Sequence, residues 1–278
     1  MTPKISADPN SMRAFRDWLH AAHSPAHSRR TAATNAAFLL PHLKPGMRVL
    51  DVGCGPGSIT AGLADVVAPG EVVGVDANPA AIDMAIRSVS AAKRPGLRFE
   101  VADLYRLPFA DASFDAVFMH AVLQHVPDAE DALRRLRRVL RPGGVIGVAD
   151  ADYGGSIIWP SSLALRRAAR LSLRIRRYSG GDLHVGRKLA AHLSAAGFEN
   201  IIASAGNVAI GTTQGALLEG QWQSAYFAAP ELRQHLSAVG LATDAELGEA
   251  SAEWARWGAS AGAYWARFSC HATALNPG

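Results

Sequence analysis

The chain has 278 residues, 49% of them hydrophobic and 19% charged, with a net charge of +4. That balance excludes wholesale disorder, and the slight positive excess permits an anionic partner without demanding one. No apolar run reaches the roughly 18 residues of a spanning helix, the opening MTPKISADPN carries no apolar signal segment, and two cysteines, Cys54 and Cys270, are too few for a disulfide scaffold or a structural zinc site.

In chain order, residues 1–45 read as helical. Met12, Phe15, Trp18 and Leu19 recur at helical spacing over 11–23, and Ala36, Phe38, Leu39 and Leu40 do so over 29–43. Pro45 and Gly46 mark a turn. From residue 47 strands and helices alternate. Strands are expected at 47–52, 71–76, 97–102, 114–119 and 145–149. Between them, Ile59, Leu63 and Val66 share one helix face, and Ile82, Ala85 and Ile86 share another, behind an Asn78 cap and Pro79. Leu133, Leu136 and Leu140 line a helix over 128–140, which carries Asp128, Glu130 and Asp131 at its positive end. This alternation predicts an α/β fold with a doubly wound, mostly parallel sheet. Beyond it, helices are expected over 161–178 and 185–196, strands over 198–205 and 261–275, and helical sequence between those two strands. No linker is visible, so the expectation is one domain over 1–278: an N-terminal helical cap (1–45), a cofactor-binding core (46–150), and the rest of the sheet with helical additions on the acceptor side (151–278).

The strongest chemical signal is the run 49–57, Val-Leu-Asp-Val-Gly-Cys-Gly-Pro-Gly. A buried strand enters a glycine turn and then a helix, so backbone can approach a ligand closely and present free N–H groups. The glycines fall at 53, 55 and 57, and position 58 is Ser rather than the third glycine or alanine of the dinucleotide fingerprint. Asp76 ends the second strand, where a carboxylate can accept both hydroxyls of a ribose. Asp103 follows the third strand. The fourth continues into 120–128, His-Ala-Val-Leu-Gln-His-Val-Pro-Asp, and residues 140–144 read Leu-Arg-Pro-Gly-Gly.

With these motifs in this order, residues 27–206 resemble the class I S-adenosylmethionine-dependent methyltransferases, most closely the small-molecule branch around the ubiquinone and menaquinone C-methyltransferases. The resemblance implies a Rossmann-like sheet of seven strands and S-adenosyl-L-methionine as cofactor. It implies that Asp51, Gly53, Cys54, Gly55 and Gly57 hold the amino-acid part of the cofactor, and that Asp76 binds the ribose. Ala77 and Asn78 would lie beside the adenine, and Ala102 and Asp103, with Leu104, would meet its amino group. The His120 backbone would contact the methionine portion, and Arg30 would pair with its carboxylate. It further implies displacement at the sulfonium methyl, with the protein supplying alignment, exclusion of water and, where needed, a base.

Candidates for that base are His125, just past the fourth strand, Asp152, past the fifth, and His184. His125 reads more readily as a structural or pocket-lining residue and His184 as packing at a helix start, and Asp152 reads equally as a loop cap. No His, Asp or Glu cluster has metal spacing, so no metal is expected. Arg166, Arg170, Arg174 and Arg177 make one helical stripe, read as a solvated face or as a holder of an anionic substrate or RNA. Aromatic residues concentrate after 214, and at least one of Trp222, Tyr226 and Trp254 is expected to line the acceptor cavity. The resulting expectation is a cytoplasmic methyltransferase acting on a small organic acceptor, a secondary metabolite or quinone-like molecule. It has no nucleic-acid or membrane partner and leaves room for a homodimer. The alternatives are a cofactor-binding scaffold with non-methylating chemistry and an RNA methyltransferase.

Overall fold

The computed structural model describes residues 12, 14–16, 18, 19, 30–89 and 94–278. The first expected helix, over 11–23, lies partly outside them, and 1–10 and 24–29 lie wholly outside. The described elements are α1 (Ala32–Asn35), β1 (Arg48–Val52), α2 (Ser58–Val67), β2 (Glu71–Asp76), α3 (Pro79–Ser88), β3 (Leu97–Val101), β4 (Phe114–His120), α4 (Ala129–Val139), β5 (Leu140–Trp159), α5 (Leu163–Tyr178), α6 (Leu189–Ala195), β6 (Glu199–Ile210), α7 (Thr213–Ala228), α8 (Pro230–Ala238), α9 (Asp244–Gly258) and β7 (Tyr264–Leu275). The strands form one seven-stranded sheet in the order β3-β2-β1-β4-β5-β7-β6. The pairs β1–β2, β1–β4, β2–β3 and β4–β5 are parallel. The mostly parallel, doubly wound sheet is therefore as expected.

The chain divides into two compact units, each assembled from three stretches. A sheet unit comprises 23–152, 184–206 and 269–278, and a helical unit comprises 1–22, 153–183 and 207–268.

In the sheet unit the period-two rule of strands separates two cores. Val49, Val72, Ala116, Phe118 and Val145 face one side, against Leu39, Leu43, Leu63 and Val67. Leu50, Val73, Val75, Val117, Met119, Ile146 and Val148 face the other, against Leu133, Leu136, Leu189 and Leu193. Burial on both faces is what a parallel sheet requires. The helical unit has its own core, in which α5, α7, α8 and α9 bring Leu165, Leu171, Phe227, Leu236, Leu247 and Trp254 together. There α7 and α9 touch at glycines: a Cβ on Gly220 would lie 2.6 Å from the Gly258 Cα.

Several boundaries differ from the sequence expectation. The helix expected over 29–43 is only α1 and a 3-10 turn, Leu40–His42, with Pro41 inside it. The regular helix already ends at Asn35, and Pro41, which has no N–H to donate, sits in the first positions of the 3-10 turn, where none is needed. On α3, Ile82 and Ala85 are buried but Ile86 is exposed, and on α2 Val67 rather than Val66 is fully buried. The helix expected over 185–196 starts as a 3-10 turn, Gly186–Lys188, before α6. β5 runs well beyond 145–149 at both ends, pairing Leu140 with Phe114 across an irregularity in register.

Candidate functional site

Register places the candidate residues at one edge of the sheet unit. Val52 pairs with Val75 and Met119, Asp76 with Val101, and His120 with Ala149. Asp152, expected past the fifth strand, instead lies with Asp150 inside β5, which continues to Trp159, while the glycine turn, residues 76–78 and residues 102–104 leave the sheet, beside His120, at the carboxyl ends of parallel strands. That is where open α/β sheets bind ligands.

The glycine turn is built from backbone conformations that suit glycine. Gly53, Gly55 and Gly57 have φ of 70°, 53° and 78°. The Gly53 and Cys54 N–H groups both donate to the Val75 carbonyl, at 2.8 and 3.0 Å. A Cβ on Gly53 would lie 2.3 Å from Val122 Cγ2, whereas the space a Cβ on Gly55 would enter is open. Gly57 is the N-cap of α2. The turn is thus tight on its inner side and open above Gly55.

Asp76 ties this turn to the next helix. Its Oδ2 accepts from the Gly55 N–H at 3.0 Å, and its Oδ1 accepts from the Asn78 N–H at 2.9 Å. Asn78 caps α3 by accepting from the Ala80 N–H. Each carboxylate oxygen has a further lone pair, so Asp76 can hold two ligand hydroxyls without releasing the loops. Asp103 is arranged likewise: it caps the 3-10 turn Leu104–Arg106 through the Tyr105 N–H and is exposed, between buried Ala102 and Leu104.

Asp51 is buried at the end of β1 and accepts from Thr60 Oγ1 at 2.6 Å. Burial pushes its carboxyl up to about 7; the Thr60 hydrogen bond opposes that rise and the nearby Asp76 charge adds to it. Burial, then Asp51 and Asp76, drive the Cys54 thiol strongly upward, so it stays protonated and is no nucleophile.

At the end of β4, His120 Nδ1 lies 3.4 Å from Arg30 Nη1, and Nε2 lies 3.2 Å from the Asn35 side-chain nitrogen. Burial, the Arg30 charge and His271 hold the imidazole at about 3, so it is neutral. Arg30 and His120, both expected near the methionine portion, are thus side by side. Asp150 is buried and accepts from the Gln124 and Ala151 N–H groups. Burial pushes it up to about 7 against those bonds and the Arg30 charge.

The candidate bases are distributed unequally. Asp152 is buried and accepts from Arg187 Nε and Nη2, at 2.5 and 2.8 Å. His184 Nδ1 is 3.6 Å from Asp152 Oδ1. His125 is exposed in the 3-10 turn Leu123–His125. Among the described residues no His, Cys, Asp or Glu cluster could hold a metal ion. The sequence expectation did not include Asn35, Thr60, Arg187 or His271. Of these, Asn35, Arg187 and His271 reach their partners only through tertiary packing and leave no local spacing to read.

The aromatic residues after 214 pack largely against one another in the helical unit. Tyr226 stacks between Trp18 and Trp222, and Trp254 contacts Trp257 and Trp265. Trp254 is buried, and among the described residues its Nε1 has no hydrogen-bond partner.

This donor and acceptor set fits an adenosyl cofactor: carboxylates where a ribose and an adenine amino group need acceptors, and an open glycine turn between them. Residues 50–148 match the family model described as a methyltransferase domain. Residues 50–148 thus carry a methyltransferase domain, of the S-adenosylmethionine-dependent class that the sequence motifs resemble. An uncharacterized methyltransferase of Schizosaccharomyces pombe is 37% identical over 157 residues, covering 53% of this chain and 56% of that protein. The demethylmenaquinone methyltransferase of Lactobacillus johnsonii is 35% identical over 112 residues, covering 40% of this chain and 46% of that protein. The chain spans about half the length of the curated relatives it matches. The YcgJ protein of Bacillus subtilis shares the fold, with a TM-score of 0.57 at 20% identity over 87% of this chain and 97% of that one.

Proposed function

We propose that this chain transfers a methyl group from S-adenosylmethionine to a small organic acceptor. The observation that carries the reading is Asp76, whose two oxygens clamp the glycine turn and the start of α3 while keeping lone pairs for a ribose. In this reading Asp103, Ala102 and Leu104 meet the adenine with Ala77 and Asn78. Asp51, the glycine turn with Cys54, Arg30 and His120 receive the amino-acid end. The bound cofactor supplies the activated methyl group. The protein's part is to hold it, to orient the acceptor at the carboxyl edge, and to exclude water. The relative from Lactobacillus johnsonii, named for demethylmenaquinone, supports a small, quinone-like acceptor.

Where the acceptor must lose a proton, His184 is the side chain we assign to take it. Asp152 is held on two sides by Arg187, which makes it a positioning group for the His184 imidazole rather than a proton acceptor. His125 is assigned to the pocket rim. The test is incubation with S-adenosylmethionine and a panel of small quinol, phenol and carboxylate acceptors, with both products followed by mass spectrometry. Stoichiometric S-adenosylhomocysteine and methylated acceptor are expected. Cofactor binding with product from RNA alone would overturn the small-molecule reading, and no cofactor binding would overturn the whole of it.

A further inference from the structure

The expected arginine stripe lies on α5 in the helical unit. The helix, LALRRAARLSLRIRRY, carries six arginines and no acidic residue. Leu165, Ala168, Leu171 and Ile175 are buried on its inner side. Arg166, Arg167, Arg170, Arg174 and Arg177 are exposed on the outer side. Spacings of four, four and three residues keep Arg166, Arg170, Arg174 and Arg177 on one face, over about 16 Å of helix.

The surroundings leave much of this charge unneutralised. Arg166 donates to Ser161 Oγ. Arg174 donates to the Leu241 carbonyl, and its charge adds to the Thr243 hydrogen bonds that lower the Glu246 carboxyl. Arg176 lies over the Tyr153 ring, 4.8 Å from its centroid. Among the described residues Arg167, Arg170 and Arg177 form no ion pair. The arginines of α4 differ: Arg134 and Arg135 reach Glu130 and Asp131 one turn away, at 3.8 and 3.4 Å.

Apolar surface accompanies the charge. Leu163, seven residues before Arg170 and so on the same face, is 58% exposed. Trp159, just before the helix, is 65% exposed, although its carbonyl is fixed by the Trp257 indole N–H. Guanidinium groups bind phosphate oxygens in pairs. A leucine within the arginine face and a tryptophan at its end are suited to the headgroup boundary of a bilayer. A nucleic-acid backbone would instead leave Leu163 against phosphate.

We propose that the outer face of α5, with Leu163 and Trp159, is a peripheral docking surface for an anionic phospholipid membrane. The expectation of no membrane partner was drawn from the lack of a spanning segment. No helix among the described residues is long and apolar enough to cross a membrane, and docking of this kind needs none. The surface stands independently of the chemistry at the sheet edge.

The test is co-sedimentation of the full chain with phosphatidylcholine vesicles and with mixed phosphatidylcholine–phosphatidylglycerol vesicles, at low and high salt. Binding to the mixed vesicles alone, released by salt, is expected. Each arginine near such a surface changes partition by about fivefold. The R167Q/R170Q/R177Q variant should therefore bind roughly a hundredfold more weakly, while R134Q/R135Q on α4 binds as the parent does. Leu163→Ser should weaken binding as well. Circular dichroism and S-adenosylhomocysteine affinity of the triple variant should match the parent, since those side chains are exposed and form no ion pair among the described residues. Equal binding to neutral vesicles, undiminished binding of the triple variant, parent-like binding of Leu163→Ser, or no vesicle binding with capture of RNA in a filter assay would each overturn the proposal.

Discussion

Asp76→Ala removes a carboxylate that does two things at once. In the free protein it accepts the Gly55 and Asn78 N–H groups at 3.0 and 2.9 Å. In the proposed complex it also accepts from the ribose. A hydrogen bond to a charged acceptor is worth about 1.5–3 kcal/mol, so losing the ribose contact alone weakens cofactor binding by about tenfold to a hundredfold. Release of the Gly55 N–H adds to this, because the turn is then free to leave its ligand-ready conformation. Asp76→Asn separates the two parts: the amide retains one oxygen acceptor but loses the charge. The assay is calorimetric titration with S-adenosylhomocysteine, alongside thermal unfolding. The expected affinity order is parent, then Asn, then Ala. Parent-like affinity for the alanine variant in a folded protein would show that the ribose is held elsewhere.

Gly53→Ala should reduce cofactor affinity more than tenfold, because φ is 70° and the new Cβ would stand 2.3 Å from Val122 Cγ2; the double variant with Val122→Ala, titrated the same way, should recover part of the loss, the steric part. Asp51 stays protonated to about pH 7 in the fold, against 3.8 as its ordinary value. The native state therefore binds the extra proton, and stability falls as pH rises from about 4 to about 7. Asp51→Asn lacks this titration, so its stability relative to the parent should improve by about 1 kcal/mol between pH 6 and pH 8 in urea unfolding, and an unchanged difference would refute the burial argument. Gly220→Ala should lower thermal stability by about 1–3 kcal/mol, since its Cβ would meet the Gly258 Cα at 2.6 Å.

What could be read beforehand was what rests on local rules. A strand that must be buried on both faces, followed by glycines at 53, 55 and 57, already describes β1, its turn and α2, because left-handed backbone selects glycine. Asn78 and Pro79 start α3 for equally local reasons. Burial phase was harder. Ile86 fits the inward stripe of α3 by spacing, yet it is exposed, because which edge of an apolar stripe meets the sheet is decided by the neighbouring element and not by the helix. The site's supporting groups were harder still. Asn35 reaches His120 across 85 positions, and Arg187 reaches Asp152 across 35. Nothing in either neighbourhood of the sequence marks the other.

The same distinction accounts for the difference between the two halves of the proposed function. The cofactor side is formed by consecutive residues leaving parallel strands, so register brings Asp51, Asp76, Asp103 and His120 to one edge however the remainder packs. The helical unit is drawn from 153–183 and 207–268 along with the start of the chain. Its boundaries cut through β5, β6 and β7, so no change in composition or linker announces it. Its aromatic residues also satisfy one another first: Trp254 against Trp257 and Trp265, Tyr226 against Trp18 and Trp222. A cluster of rings is therefore as much a core as a binding wall. The proposed acceptor chemistry therefore rests on the polar pair His184 and Asp152, 3.6 Å apart with Asp152 held by Arg187, and not on the cluster of rings.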